Sequence, residues 1–256
     1  MYPVVFQWGW LTIFTYGCFL ALGFLLATMA FADLGKKSGF QKDDLMDFTI
    51  WILVASIVGA RILYILINLP HYQEHPLEII LLNRGGLVFY GGILGGILAG
   101  ICYLKKKKLP VLKIGDMAMT VIPLGQMFGR IGCFLNGCCF GRPTTFPIKV
   151  TFPLGSPACD YYQELMPVHP VQLYESIALG CFFLLLLTIY EKKRFDGQMI
   201  ALYGMGYAVI RFLLEFLRGD NPPILAGLTL SQCVGIVVFP LSLGLYFYWS
   251  KKKIQE

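Results

Sequence analysis

Of the chain's 256 residues, 57% are hydrophobic and only 14% are charged, where a soluble domain carries about a quarter charged residues. With a mean hydropathy of +0.66, this composition excludes an ordinary soluble globular protein and points to one polytopic membrane domain over residues 1–256. The net charge of +6 would permit a nucleic-acid partner. However, thirteen of the fourteen lysines fall in four clusters that abut the ends of apolar runs: Lys36, Lys37 and Lys42; Lys105 to Lys108 with Lys113; Lys192 and Lys193; Lys251 to Lys253. That is the positive-inside pattern of a membrane protein, so no nucleic acid is expected.

Apolar windows long enough for a hydrocarbon core about 30 Å thick cover roughly 10–32, 46–67, 86–104, 112–134, 171–190, 198–217 and 228–249. The sequence therefore predicts an all-α integral membrane protein with seven transmembrane helices. With the lysine clusters cytoplasmic, the N-terminus lies outside and the C-terminus inside. The first ten residues hold no Lys or Arg and no small-residue cleavage site follows, so the first run is expected to remain as a helix.

The arginines follow a different rule. Arg61, Arg84, Arg130, Arg142, Arg211 and Arg218 fall in the apolar windows or on the outer side, and only Arg194 joins a lysine cluster. An arginine inside a bilayer is costly, about 2.5–3.5 kcal/mol on insertion scales. Its planar fork suits phosphate. The set predicts an anionic ligand reached from the outer leaflet, against the plainer reading that each arginine pairs with a carboxylate or snorkels.

The third window begins GGLVFYGGILGGILAG, with Gly92, Gly96 and Gly100 on one face and Gly91, Gly95 and Ala99 on another. These are tight helix-packing faces. Tyr90 is either an interfacial aromatic or a site residue. The fourth window ends in GRIGCFLNGCCFG, residues 129–141. It sets Arg130 among four glycines, with Cys133, Asn136, Cys138 and Cys139 close behind. The following segment, about 135–170, holds six prolines and is expected to fold as a small outer-face cap rather than one helix. It ends in HPVQLYE, residues 169–175. There Glu175 sits in the first turn of the next helix, where the dipole favours a carboxylate. His169 by itself reads more readily as an interface histidine than as a catalyst.

In the sixth window Tyr207, Arg211, Glu215 and Arg218 form one polar stripe, which implies a polar interior cavity. An Arg211–Glu215 pair accounts for two of these residues and leaves Arg218 and Arg130 unassigned. Of the eight cysteines, Cys18, Cys102, Cys181 and Cys233 read as small apolar residues in helices. The other four lie at or beyond the outer face. A bridge from Cys159 to Cys138 or Cys139 would close a loop of about 20 residues and brace the cap by roughly 3 kcal/mol, with Cys133 left reduced. A zinc site made from these cysteines and His169 fits no standard ligand spacing.

Taken in order, these motifs resemble the prolipoprotein diacylglyceryl transferases of the bacterial inner membrane. GRIGCFLNG is similar to the family signature, HPVQLYE to its His-Pro-x-Gln-Leu-Tyr-Glu segment, GGLVFYGGILGG to its Gly-Gly-x-x-Phe-His-Gly-Gly segment, and Tyr207 to Arg218 to its late Tyr, Arg, Glu, Arg pattern. The resemblance implies a multi-pass inner-membrane enzyme whose active site faces the outer leaflet. Its reaction would move a diacylglyceryl group from phosphatidylglycerol to the lipobox cysteine thiol of a preprolipoprotein signal peptide, with release of glycerol 1-phosphate. By position, Arg130, Arg211, Tyr16 and Tyr207 are the implied catalytic residues. Arg130, Asn136, Gly141, Tyr90, Cys133, Arg61, Glu215, Arg218 and His169 are the implied substrate-binding ones.

The bottom-up chemistry agrees. Displacement turns a phosphodiester into a phosphomonoester, and two arginines would stabilise the growing charge more than the substrate. That chemistry calls for no metal or organic cofactor. Three positions depart from the resemblance: Tyr90 stands for the family's His, Cys133 for its Asn and Cys138 for an acidic residue. With a reference pKa near 10, a tyrosine is a poor base at neutral pH. The competing readings are a membrane thiol oxidoreductase working through the outer cysteines, which would want a second cysteine pair, and a lipid or anion transporter, which would want inverted repeats and broken helices.

Overall fold

A computed structural model describes residues 4–8, 11–79 and 86–255; Arg84 lies outside the described residues. The chain opens with an antiparallel hairpin, β1 (Val4–Trp8) and β2 (Leu11–Phe14). The first apolar window was expected to be helical from about residue 10. Instead β-branched and aromatic residues crowd this stretch and favour a strand, so the first helix, α1, runs Thr15–Lys37.

Then follow α2 (Lys42–Ile67), α3 (Leu69–Glu74), a single 3₁₀ turn (Pro76–Ile79), α4 (Phe89–Lys106) and α5 (Val111–Asn136). A second small sheet, β3 (Val150–Thr151) with β4 (Pro167–Val168), flanks the short α6 (Pro157–Tyr162). The chain closes with α7 (Val171–Tyr190), α8 (Gln198–Glu215) and α9 (Leu230–Gln255). The protein is thus mostly helical and carries two minor sheets that the all-α expectation left out.

Five of these helices, α1, α2, α5, α7 and α9, are long and apolar enough to cross a membrane. Helices α4 and α8 have 18 residues each. At 1.5 Å per residue they span about 27 Å. The glycines and terminal lysines of α4, and Arg211 and Glu215 in α8, dilute their apolar character. Leu25, Met29, Trp51, Leu66, Leu184, Val237 and Leu241 lie more than half exposed along α1, α2, α7 and α9. So much outward apolar surface has no place in water, and the protein is a multi-pass membrane protein. Lys36 and Lys37 end α1, and Lys105 and Lys106 end α4, where cations suit the helix dipole.

The chain divides into two compact units, Ala32–Ile114 and Met1–Phe31 with Gly115–Glu256. In the first, α2 and α4 pack through small residues, as the glycine spacing predicts. A Cβ on Gly59 would lie 2.5 Å from the Gly91 carbonyl oxygen, and one on Gly95 would lie 2.5 Å from that of Ala55. Arg61 is buried here and donates to the carbonyls of Glu78 (2.7 Å), Ile79 (3.2 Å) and Gly86 (3.3 Å). It also lies against the rings of Tyr64 and Tyr72.

In the other unit α1 meets α5 just as closely, since a Cβ on Gly23 would lie 2.8 Å from the Gly125 carbonyl oxygen. Helix α8 begins on a buried carboxylate. Asp116 accepts the backbone N–H groups of Gly197 (2.9 Å), Met199 (2.9 Å) and Ile200 (3.2 Å), together with the Lys193 ammonium at 3.0 Å. An anion at a helix N-terminus satisfies donors that have no partner inside the helix. The cap has an apolar core of its own: Phe140, Phe152, Ala158 and Val168, with Phe134, Val150 and Tyr162 against it.

Candidate active site

The polar residues of unit Met1–Phe31 with Gly115–Glu256 converge where α5, α7 and α8 meet. Helix α7 presents Gln172, Glu175 and Ser176, spaced as one helix face, and all three are buried. The Ser176 hydroxyl donates to the Met127 carbonyl of α5 at 3.1 Å, and the Gln172 amide donates to the Cys138 carbonyl at 2.7 Å. Between them stands Glu175, whose side chain is 1% exposed.

Two arginines share that carboxylate. Arg130 Nη2 of α5 is 3.0 Å from Glu175 Oε1, and Arg211 Nη1 of α8 is 3.5 Å from Oε2. Arg211 Nη2 also reaches Glu215 Oε2 at 2.8 Å and the Ser231 hydroxyl at 3.2 Å. The Arg211–Glu215 pair read from the sequence is therefore present, and Arg130 has the partner the stripe alone did not supply. Among the described residues, Glu175 Oε1 and Glu215 Oε2 receive no directed hydrogen bond. Distance makes these ion pairs, but the guanidinium N–H groups are not aimed along them. Glu215 Oε1 is better served, by the Asn221 amide (2.6 Å) and the Thr229 hydroxyl (2.8 Å).

Tyr207 lies one turn before Arg211 and within the electrostatic reach of Glu175, Arg130 and Arg211. Its ring stacks on Tyr203 at 5.7 Å and 7°, and Tyr203 stacks on Phe182. Tyr16, in the first turn of α1, interacts with Arg130 and with the thiols of Cys133, Cys138 and Cys139. Gly132 allows this, because a Cβ there would sit 3.3 Å from the Tyr16 backbone.

The end of α5 is a Schellman turn. Gly137 takes the left-handed conformation (φ +76°), the Cys138 N–H bonds back to the Cys133 carbonyl and the Gly137 N–H to that of Phe134. This pattern satisfies the last helix carbonyls and folds the chain onto the final turn. Cys139 (φ +60°) continues the reversal. The sulfurs of Cys133, Cys138 and Cys139 end within 4.8 Å of one another. Hydrogen bonds from the Cys133 and Cys138 thiols, and then the charges of Arg218 and Arg130, hold the Cys139 thiol below its ordinary pKa despite burial. The expected bridge to Cys159 is absent: all eight cysteines are free. The turn commits Cys138 and Cys139 to Cys133, while Cys159 is buried in the first turn of α6, where its N–H bonds to the N-cap Ser156. The cap's brace is its aromatic core.

Beyond the turn, Phe140–Arg142 runs between two other segments. Gly141 pairs by backbone, its N–H reaching the His169 carbonyl and the residue bridging Arg218, and its own carbonyl accepts the Tyr162 hydroxyl at 3.1 Å. A Cβ on Gly141 would strike the His169 carbonyl, so this close approach requires glycine. Arg218 forms a bidentate pair with Asp220 at 2.9 and 2.6 Å and lies within electrostatic reach of the Cys139 sulfur. The His169 ring packs near Phe146 and Tyr174, and its buried Nδ1 has no partner among the described residues.

The structure thus brings Arg130, Arg211, Tyr207, Glu215, Tyr16 and Cys133 to one region, with Asn136, Gly141, Arg218 and His169 in the turn and cap beside it. Arg61 and Tyr90 belong to the other unit. There Arg61 holds backbone carbonyls, and Tyr90, in the first turn of α4, is exposed and packs edge-on against Phe89. Sequence reasoning placed Glu175 at a helix start but missed that it joins both arginines. It also missed Gln172, Ser176 and Ser231. The HPVQLYE motif held the first two of the α7 polar groups, and their shared face was the available signal.

A sequence model described as prolipoprotein diacylglyceryl transferase matches residues 3–248. The chain is 37% identical over 250 residues to a phosphatidylglycerol–prolipoprotein diacylglyceryl transferase of Clostridium tetani, covering 97% of each protein. It is 34% identical over 254 residues to the like-named protein of Finegoldia magna, covering 99% of this chain and 98% of that one. To that of Clostridioides difficile it is 32% identical over 249 residues, covering 97% and 96%.

Proposed function

This chain belongs to the prolipoprotein diacylglyceryl transferase family, and from that premise we propose that it transfers the diacylglyceryl group of phosphatidylglycerol to a prolipoprotein. The acceptor is the lipobox cysteine thiol of the signal peptide, and the leaving group is glycerol 1-phosphate. The protein works as one polytopic domain in the bacterial inner membrane, with seven spans that include α4 and α8, its N-terminus outside, its C-terminus cytoplasmic and its site toward the outer leaflet. Nucleic acid has no part in it.

The observation that carries the reading is the pair of arginines on one buried carboxylate, Arg130 at 3.0 Å and Arg211 at 3.5 Å from Glu175. Glu175 offsets the repulsion of two guanidinium groups and fixes their spacing before substrate arrives. A guanidinium has five donors, so contact with Glu175 leaves capacity to grip a phosphate. When the C–O bond to phosphate breaks and the C–S bond forms, the leaving phosphate gains charge. Cations already in place stabilise that charge without reorganising. Tyr207 and Tyr16 flank the clamp, and Asn136, Gly141, Arg218 and His169 shape its outer wall. Glu215 and Cys133 complete the substrate-binding set within this unit. Neither thiol oxidation nor transport is favoured.

The test is rescue of a transferase-depleted bacterium by this chain, with mass analysis of a reporter lipoprotein. Growth with a diacylglyceryl gain on the lipobox cysteine is the expected result. Growth without that gain would remove the reading.

A further inference from the structure

The cysteine turn at the end of α5 does more than close a helix. Three free thiols on seven consecutive residues, Cys133, Cys138 and Cys139, hold their sulfurs within 4.8 Å of one another. Zinc–thiolate bonds of about 2.3 Å in a tetrahedron put ligand sulfurs about 3.8 Å apart. Closing the group onto one cation therefore needs shifts of no more than about 1 Å. The geometry comes from the backbone: the Schellman turn lays Cys138 over Cys133, and the left-handed Cys139 brings the third sulfur back.

Charge favours occupancy too. Three thiolates on a divalent cation leave one net negative charge. Arg218 and Arg130 lie within electrostatic reach of Cys139, and Arg130 of Cys133 as well, so that charge would sit among cations. Among the described residues the group offers three ligands and no fourth. Structural zinc sites are closed by four protein ligands, and catalytic ones keep three and leave a position open.

We propose that Cys133, Cys138 and Cys139 bind a thiophilic divalent cation of the zinc class, whose open fourth position takes the thiol of the acceptor cysteine. The second half of this assignment rests on the transferase reading above. A thiol that coordinates such a cation gives up its proton, here to water at the open outer face. The bound sulfur then forms the C–S bond with its electron pair as the C–O bond to phosphate breaks, and the phosphate leaves with that bond's pair beside the arginines. No oxidant or reductant is involved. This departs from the expectation that the chemistry calls for no metal.

The experiment uses the full chain, purified in detergent, reduced, stripped with chelator and titrated with Cd²⁺ as a spectroscopic stand-in for Zn²⁺. Expected are one Cd²⁺ per chain, a sulfur-to-metal charge-transfer band that is lost in Cys133→Ser/Cys139→Ser and kept in Cys159→Ser, and a stronger band on adding a cysteine peptide but not its serine analogue. Should the double variant fail to fold, protection of Cys139 from alkylation by Cd²⁺ in the wild-type chain reports the same site. Diacylglyceryl transfer is measured in parallel and should fall at least tenfold on stripping and return with Zn²⁺. A chain that transfers fully while binding no metal overturns the cation site and leaves the transferase reading standing. Metal binding with no transfer under any condition removes that reading and, with it, the acceptor role. A band that survives loss of the cluster, or ignores the peptide thiol, also overturns the proposal.

Discussion

Two carboxylates of the same unit, Asp116 and Glu175, are both essentially buried, yet they are held in opposite ways. Asp116 receives directed donors on both oxygens: Met199 and Ile200 on Oδ1, Gly197 and Lys193 on Oδ2. Glu175 meets two arginines at 3.0 and 3.5 Å, and its Oε1 takes no directed bond among the described residues. A fully satisfied buried anion is a structural fitting. An under-satisfied one between two cations leaves the cations something to gain from another anion. The difference separates the end of α8 that fastens the fold from the end that we assign to chemistry.

The largest effect expected from this contrast is that of Glu175→Gln. It keeps the shape but removes the charge that spaces Arg130 and Arg211. Transfer activity should fall about 10²–10³-fold, the scale of losing one preorganised electrostatic contact, while the protein still inserts. Near-normal turnover in this variant would erase the distinction.

Asp116→Asn should do the reverse. Loss of a buried, paired charge costs about 3–5 kcal/mol of stability, read as a lower unfolding midpoint in detergent. Activity per folded molecule should stay within about threefold. A selective loss of turnover without loss of stability would move Asp116 into the working site.

Both carboxylates bear on what the sequence could tell. The mostly helical, membrane-spanning character, the polar stripe on α8 and the glycine faces of α4 were legible, because they rest on the 3.6-residue period and on composition, which act locally. Asp116 was not, since an aspartate beside a lysine-rich loop reads as solvated. Only the fold brings the start of α8 onto it. Glu175 was seen at its helix dipole, but its two arginines come from helices far away in sequence. The cysteine cluster was missed for a related reason. Its spacing matches no ligand pattern, and the sulfurs meet through left-handed backbone at Gly137 and Cys139. The hairpin over residues 4–8 and 11–14 was lost because hydropathy alone does not tell an apolar strand from an apolar helix.

The smallest effect expected is that of Tyr90→Phe. Tyr90 lies in the unit that holds neither carboxylate, and a phenol is a weak base. Turnover should drop less than tenfold. A loss of about 10²–10⁴-fold, the usual cost of removing a general base, would bring Tyr90 into the chemistry.

The central claim is that Arg130 and Arg211, set by Glu175, grip the departing phosphate. The direct measurement is diacylglyceryl mass transferred from phosphatidylglycerol to a cysteine peptide by purified wild-type, Arg130→Lys and Arg211→Lys proteins. Lysine keeps the charge but not the planar fork. The account predicts transfer by the wild type and loss of at least 10²-fold in each variant, with folding unchanged. Near-normal transfer in both lysine variants would contradict it.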